Sequence, residues 1–306
     1  MIRLALPLNV MNKSIMGNAF VQLHLSIFLA GFTGILGKLI ELSEGSLVWY
    51  RMLLTSVMFF AYLLVTRNVP RIPMLAVLKI GGVGVLVALH WVFFYGSVKY
   101  ANVSIAVICF ALTGFFTAIL EPIFYKKKFA IHEFLFSIMV VFGIALIFHF
   151  DTHFRLGIIL GVIAALLAAL FTIALKKVGR EHTPQTMLLY QMVGGWVFLT
   201  LAAPGYIAMF PDVALMPTVS DLAYLLILAS LCTIGMFLLQ IQALRSMSAF
   251  TVNLSFNLEP VYSIALAMLF LGEASDMNYT FFVGLLLICL SVLFQSLYAI
   301  RLRGSF

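Results

Sequence analysis

Glu259 and Pro260 stand together in the otherwise apolar stretch 249–271, with two asparagines, Asn253 and Asn257, and a serine, Ser255. A carboxylate in such a stretch can hold a substrate amine or carry a proton. The proline removes one backbone donor and leaves a carbonyl free. Asn253 and Asn257 share a helix face at a spacing of four, while Ser255, Glu259 and Tyr262 fall on nearly the opposite face. If the stretch crosses a bilayer, neither face rests cheaply against hydrocarbon, and an ionisable group at that depth marks a functional site by default. The structural alternative is that Glu259 satisfies backbone broken by Pro260 and pairs with a base.

Other apolar stretches carry their own polar groups. In 74–96, His90 and Trp91 are followed by Phe94 one turn on. A histidine among aromatics can meet a carboxylate, stack a ring or relay a proton. The bland reading is a core histidine with one hydrogen bond. In 16–40, Asn18, Gln22, Ser26, Thr33 and Gly37 form a polar and small stripe along one face. Such a stripe lines a path or lets helices pack closely. Arg51 and Lys38 fall near the ends of their stretches, where a cation attracts anions or snorkels to headgroups. Gln240 and Gln191 are further pocket candidates. Glu121, next to Pro122 and the run Lys126 to Lys128, reads as an interfacial ion-pair partner.

Composition says what must position these groups. The chain has 306 residues, of which 64% are hydrophobic and 9% charged, with mean hydropathy +1.15. Soluble domains carry about a quarter charged residues, so this is a polytopic membrane protein with the bilayer as its solvent. Of its 18 basic residues, 14 fall in alternate loops and termini and four on the other side. That asymmetry marks orientation rather than nucleic-acid binding, and predicts cytoplasmic termini in a bacterial-type inner membrane. The three cysteines lie far apart in apolar stretches and make no disulfide or metal framework. Paired-histidine zinc motifs, nucleophile elbows and phosphate-cradling loops are absent, which argues against an enzyme and against a cofactor or ATP. A gradient must then drive any transport.

Each spanning helix needs about twenty apolar residues. The sequence gives ten such stretches: 16–40, 47–65, 74–96, 101–125, 134–150, 156–175, 185–203, 221–242, 249–271 and 279–300. They divide into an N-terminal segment (1–15), two five-helix halves (16–150 and 156–300) and a tail (301–306).

A gapless match at an offset of 146 pairs 98–104 with 244–250, and sets Leu112-Thr113-Gly114 beside Leu258-Glu259-Pro260. Upstream, Trp49-Tyr50-Arg51-Met52 matches Leu189-Tyr190-Gln191-Met192 at an offset of 140. Five spans per copy turn the second copy upside down, so the fold class is all-α with ten transmembrane helices in two inverted five-helix repeats. Secondary transporters are often built this way, with the site near mid-depth between the repeats. Pro260 and its mate Gly114 are the expected weak points, one per repeat.

The segment 248–273, with Leu258-Glu259-Pro260 and then Leu271-Gly272-Glu273, resembles the second repeat of EamA-type proteins of the drug/metabolite transporter superfamily. Trp49-Tyr50-Arg51 resembles that family's arginine at the head of span two. The first copy departs from the pattern, with Thr113-Gly114 in place of Glu-Pro. The resemblance implies a carrier, often an exporter, of small metabolites, with a central cavity between spans one, three, four, six, eight and nine. Amino acids or related amphipathic solutes are the expected cargo, and protons a candidate coupling ion. The alternatives are a carrier of sugar nucleotides or phosphorylated metabolites and, from another class, an intramembrane enzyme on lipid-linked substrates. The expected substrate-binding residues are His90, Trp91, Phe94, Asn253, Asn257, Glu259, Gln22, Thr33, Arg51 and Gln240.

Overall fold

The computed structural model describes residues 18–129, 131–148, 154–256, 258–272 and 279–303. Asn257 lies outside them. Among the described residues the chain forms ten helical spans. Spans one to three are Ala19–Leu39, Glu44–Val65 and Met74–Tyr100. Span four is two helices, Val103–Phe110 and Leu112–Tyr125, followed by span five, Ile131–Phe148. Spans six and seven are Arg155–Gly179 and Pro184–Met209. Span eight runs Val219–Ala229, a π turn Ser230–Gly235, and Met236–Leu244. Span nine is Ala249–Phe256 and Glu259–Leu271, and span ten Tyr279–Arg303. Seven of the ten are long and apolar enough to cross a membrane by length and composition alone.

Local chemistry sets the helix starts. Asn102 accepts from the Ile105 amide at 2.8 Å and opens span four. Thr218 and Asp221 bond reciprocally to each other's backbone and open span eight. Thr183 precedes Pro184 at the first position of span seven, where a missing N–H costs nothing.

Spans four and nine break at matched places. Their first halves, Val103–Phe110 and Ala249–Phe256, each have 8 residues and lie 146 apart in sequence. Pro260 falls in the first turn of Glu259–Leu271, where a proline is well tolerated. The expected weak point at Gly114 is not found. The first-repeat break lies at Ala111, and Gly114 sits buried inside Leu112–Tyr125. A glycine lowers helix propensity by only about 1 kcal/mol, which packing overrides.

The packing shows the inversion. The first half of span four meets the second half of span nine, and the second half of span four meets the first half of span nine. The two matched spans therefore run antiparallel. Span three packs along span six as span one packs along span eight, span two crosses span seven, and span five pairs with span ten. Exchanging the halves maps this pattern onto itself. Spans three and seven approach through glycines. A Cβ on Gly84 would strike the Gln191 carbonyl and the Gly195 amide, and one on Gly194 would strike Gly81.

Candidate functional site

Seven of the ten expected residues converge. Thr33, Arg51, His90, Trp91, Phe94, Gln240 and Glu259 line one cavity with Ala30, Phe110, Phe171, Met236, Phe237 and Phe256. All six expected spans contribute, and span two joins them through Arg51. About 40 Å³ is open to the centres of water molecules, room for about three of them. The cavity lies between the two repeats and takes its walls from both.

Arg51 is the fullest surprise. The sequence places it peripherally, yet it is fully buried. Span two begins at Glu44, so Arg51 sits two turns inside the helix rather than one. Its Nε donates to Thr233 Oγ1 at 2.8 Å, one Nη to Tyr95 Oη at 2.7 Å and the other to the Cys232 carbonyl at 3.0 Å. The guanidinium lies 3.6 Å from the centre of the Trp91 ring. A cation out of water needs this much company. The π turn helps to provide it: Thr233 Oγ1 donates five residues back, to the Leu228 carbonyl at 2.7 Å, while accepting from Arg51. A guanidinium carries five N–H groups, so two remain unspent among the described residues.

His90 Nδ1 lies 2.9 Å from the Ala164 carbonyl. A carbonyl only accepts, so Nδ1 carries the proton and Nε2 is left as an acceptor. The ring is packed among Phe94, Phe110 and Phe171. Across the pseudo-two-fold, Ser26 Oγ donates to the Met236 carbonyl at 3.1 Å. Met236 is the mate of His90 at the 146 offset, so both bonds tie matched positions of spans three and eight to a neighbouring span, His90 through its side chain and Met236 through its carbonyl. Glu259 is buried at the start of its half-helix, where the helix dipole favours a carboxylate. Among the described residues its carboxylate accepts no hydrogen bond, and Arg51's bonds go elsewhere. Thr33 Oγ1 and Gln240 Oε1 are likewise buried without a protein partner among the described residues. The cavity thus offers a partly spent cation, a carboxyl group, two open polar atoms and aromatic walls.

Two of the remaining three expected residues sit elsewhere. Asn253 Nδ2 donates to Thr117 Oγ1 at 2.8 Å and ties span nine to span four away from the cavity. Gln22 lies about 16 Å along span one from Thr33, at the far end of the stripe. Asn257 falls outside the described residues. Glu121, expected as an interfacial ion-pair partner, is buried, and its Oε2 accepts from the Phe250 amide at 2.8 Å, capping span nine. Sequence reasoning missed Tyr95, Thr233 and the aromatics Phe110, Phe171, Phe237 and Phe256. The repeat offset could have found Phe237, the mate of Trp91, whereas Phe110 and Phe256 are mates of each other.

The two ends of the bundle differ. At one end Lys99 Nζ donates to the Ile40 carbonyl at 3.0 Å, the Glu41 amide to Asp221 at 2.8 Å and Tyr206 Oη to Glu44 at 3.0 Å. Tyr95 packs tightly on Gly37 beneath these contacts. The opposite, basic end holds a hollow of about 460 Å³ lined by Lys127, Lys176, Arg180 and Arg245, among others. Its cations reach carbonyls and a ring: Lys176 donates to Met247 O, Arg245 to His182 O at 3.2 Å, and Arg180 lies 5.8 Å from the Tyr125 ring centre.

Inverted helical repeats around a cavity lined by aromatic rings and a few buried polar groups define an all-α integral membrane protein of the carrier type. The EamA-like transporter family matches residues 18–149 and 155–297, and the chain belongs to that family. It is a transporter and not an enzyme. A solved structure described only as "Crystal structure of protein" superposes with a TM-score of 0.69 at 16% identity, covering 93% of this chain and 98% of its own. That likeness concerns the fold alone. No curated protein matches the chain.

Proposed function

We propose that this chain is a secondary transporter that exports small amphipathic solutes bearing a carboxylate, amino acids being the type, by alternating access. The observation that carries this is the Arg51 guanidinium, held over Trp91 with two N–H groups unspent in a cavity that also contains Glu259. A cargo carboxylate would bond Arg51, an amine would bond Glu259, and an apolar side chain would lie among Phe94, Phe110, Phe171 and Phe237. Glu259, free of hydrogen bonds to its carboxylate among the described residues, is also the group to carry a coupling proton. The basic end is cytoplasmic on this reading, as the loop charges suggest. The hollow there and the bonded contacts at the other end fit a cavity closed outward. The two halves, 16–150 and 156–300, would rock about the cavity, which must widen to admit any solute larger than a few waters.

The test is flux in proteoliposomes against a panel of amino acids, their methyl esters, organic amines and sugar phosphates, with and without a pH gradient. Zwitterions should move, faster with the gradient, and esters poorly. Movement of esters and acids alike would defeat the reading. The four cations of the basic hollow favour a second reading, a carrier of phosphorylated metabolites. Uptake of sugar phosphates in the same panel would support it. Against it, Arg51 is the cation that lines the central cavity.

A further inference from the structure

Arg51 and Gln191 hold matched positions in spans two and seven, and their circumstances are opposite. Both are fully buried. Arg51 makes three hydrogen bonds and a ring contact. Gln191 makes no side-chain hydrogen bond: neither Nε2 nor Oε1 reaches a partner among the described residues. Native folds rarely keep a whole amide bare in the interior, and an exception calls for an explanation.

The partner helix explains the difference. Arg51 is anchored on the π turn Ser230–Gly235 of span eight, through the Cys232 carbonyl and the Thr233 hydroxyl. A π turn inside an α-helix frequently marks a functional site. The matched segment of span three is 84–89, in which Leu86 stands for Cys232 and Val87 for Thr233. That segment is regular α-helix, so the Leu86 carbonyl stays in the helical ladder and Gln191 has no anchor. The segment opens at Gly84, where no side chain separates span three from the Gln191 backbone. Phe237 stands where Trp91 stands in the Arg51 site.

We propose that Gln191 is a positioning residue for the cargo path, the counterpart of Arg51, and that it engages in the state open at the opposite end. In that state the π turn forms at 84–89, Leu86 presents its carbonyl to Gln191 Nε2, and span eight becomes regular α-helix and lets Arg51 go. The two repeats exchange conformations, and the π turn is what they exchange. The proposal rests on the alternating-access reading above.

The experiment uses the full chain in liposomes with Cys109, Cys232 and Cys289 replaced by alanine. A reporter cysteine is placed at Ser246, exposed on the basic end, or at Leu42, buried at the other, and labelled with a membrane-impermeant maleimide. Gln191→Leu keeps the volume and removes a bare amide, so thermal stability should hold or rise. Losing one hydrogen bond in the opposite state should slow labelling at Leu42→Cys by roughly tenfold and lower flux. Thr233→Val, which weakens the Arg51 anchor, should shift labelling the other way. Normal labelling and flux in Gln191→Leu would overturn the proposal, as would shifts in the same direction for both variants. If Gln191→Leu does not fold, Gln191→Met is read by the same criteria. Labelling in the otherwise unsubstituted reporter chain that never responds to solute would instead defeat alternating access itself.

Discussion

Arg51→Lys is the sharpest perturbation of the cargo site. It keeps the charge and removes the planar fork. Arg51 now serves three acceptors at 2.7 to 3.0 Å. A lysine ammonium on a shorter stem reaches one of them well, so two charge-assisted bonds are lost. At about 1.5–3 kcal/mol each, the loss is at most roughly 3–6 kcal/mol of stability, a large share of the 5–15 kcal/mol typical of a fold. The melting temperature should fall by several degrees. Cargo binding gives the cleaner reading, because Trp91 lies against the guanidinium. In a background with Trp49 and Trp196 replaced by phenylalanine, Trp91 fluorescence should titrate with an amino acid and with its methyl ester. One charge-assisted contact worth about 1.5–3 kcal/mol makes the acid bind roughly 10- to 150-fold better than the ester. In Arg51→Lys that ratio should shrink to a few-fold, since a single point contact replaces the fork. An acid-to-ester ratio unchanged by the substitution would refute the assignment of Arg51 to the cargo carboxylate, whatever happened to stability.

Glu259→Gln keeps the volume and removes the charge. Flux should fall sharply and lose its dependence on the pH gradient while the protein still folds, and full transport with unchanged pH dependence would make Glu259 structural. Gly84→Ala puts a Cβ against the Gln191 carbonyl and 2.9 Å from the Gly195 amide nitrogen. Backbone cannot yield as a flexible side chain can, so yield of folded protein and melting temperature should both drop. Thr117→Val strands the Asn253 amide, at a cost of about 1–3 kcal/mol. Adding Asn253→Leu should restore most of the loss, which a thermal-melt double-mutant cycle would measure.

Hydropathy makes the count of ten spans legible, because each crossing demands its own apolar run. The inversion was legible too: a gapless offset of 146 marks the matched half-helices of spans four and nine. What escaped was depth and local winding. Arg51 looked peripheral because apolar counting starts span two at Leu47, while the helix starts at the polar Glu44. The π turn has no sequence mark, since Ser230 to Gly235 read as ordinary helix. It is visible only with the side chain it serves. Asn253 was placed on the cavity because polar groups in a spanning helix invite that inference. A hydroxyl one helix away satisfied it instead. Glu121 misled for a related reason, as a nearby lysine run suggests charge pairing while the acid caps a helix start across the repeat boundary.

Two backbone amides bond to carboxylates of the opposite repeat. The Glu41 amide donates to Asp221 at one end, and the Phe250 amide donates to Glu121 at the other. Both bonds bridge the two halves, and both are made in this structure, in which the basic end holds the hollow. The Glu41 bond belongs to the contacts that close the other end, so it should break when that end parts, while the Phe250 bond stays with the packed pair of spans four and nine. Hydrogen–deuterium exchange at Glu41 would then serve as a label-free clock built into the chain, with Phe250 as its internal reference. Cargo or a pH step that favours the state open at the Glu41 end should speed the first and leave the second unchanged, with no probe attached and no side chain changed.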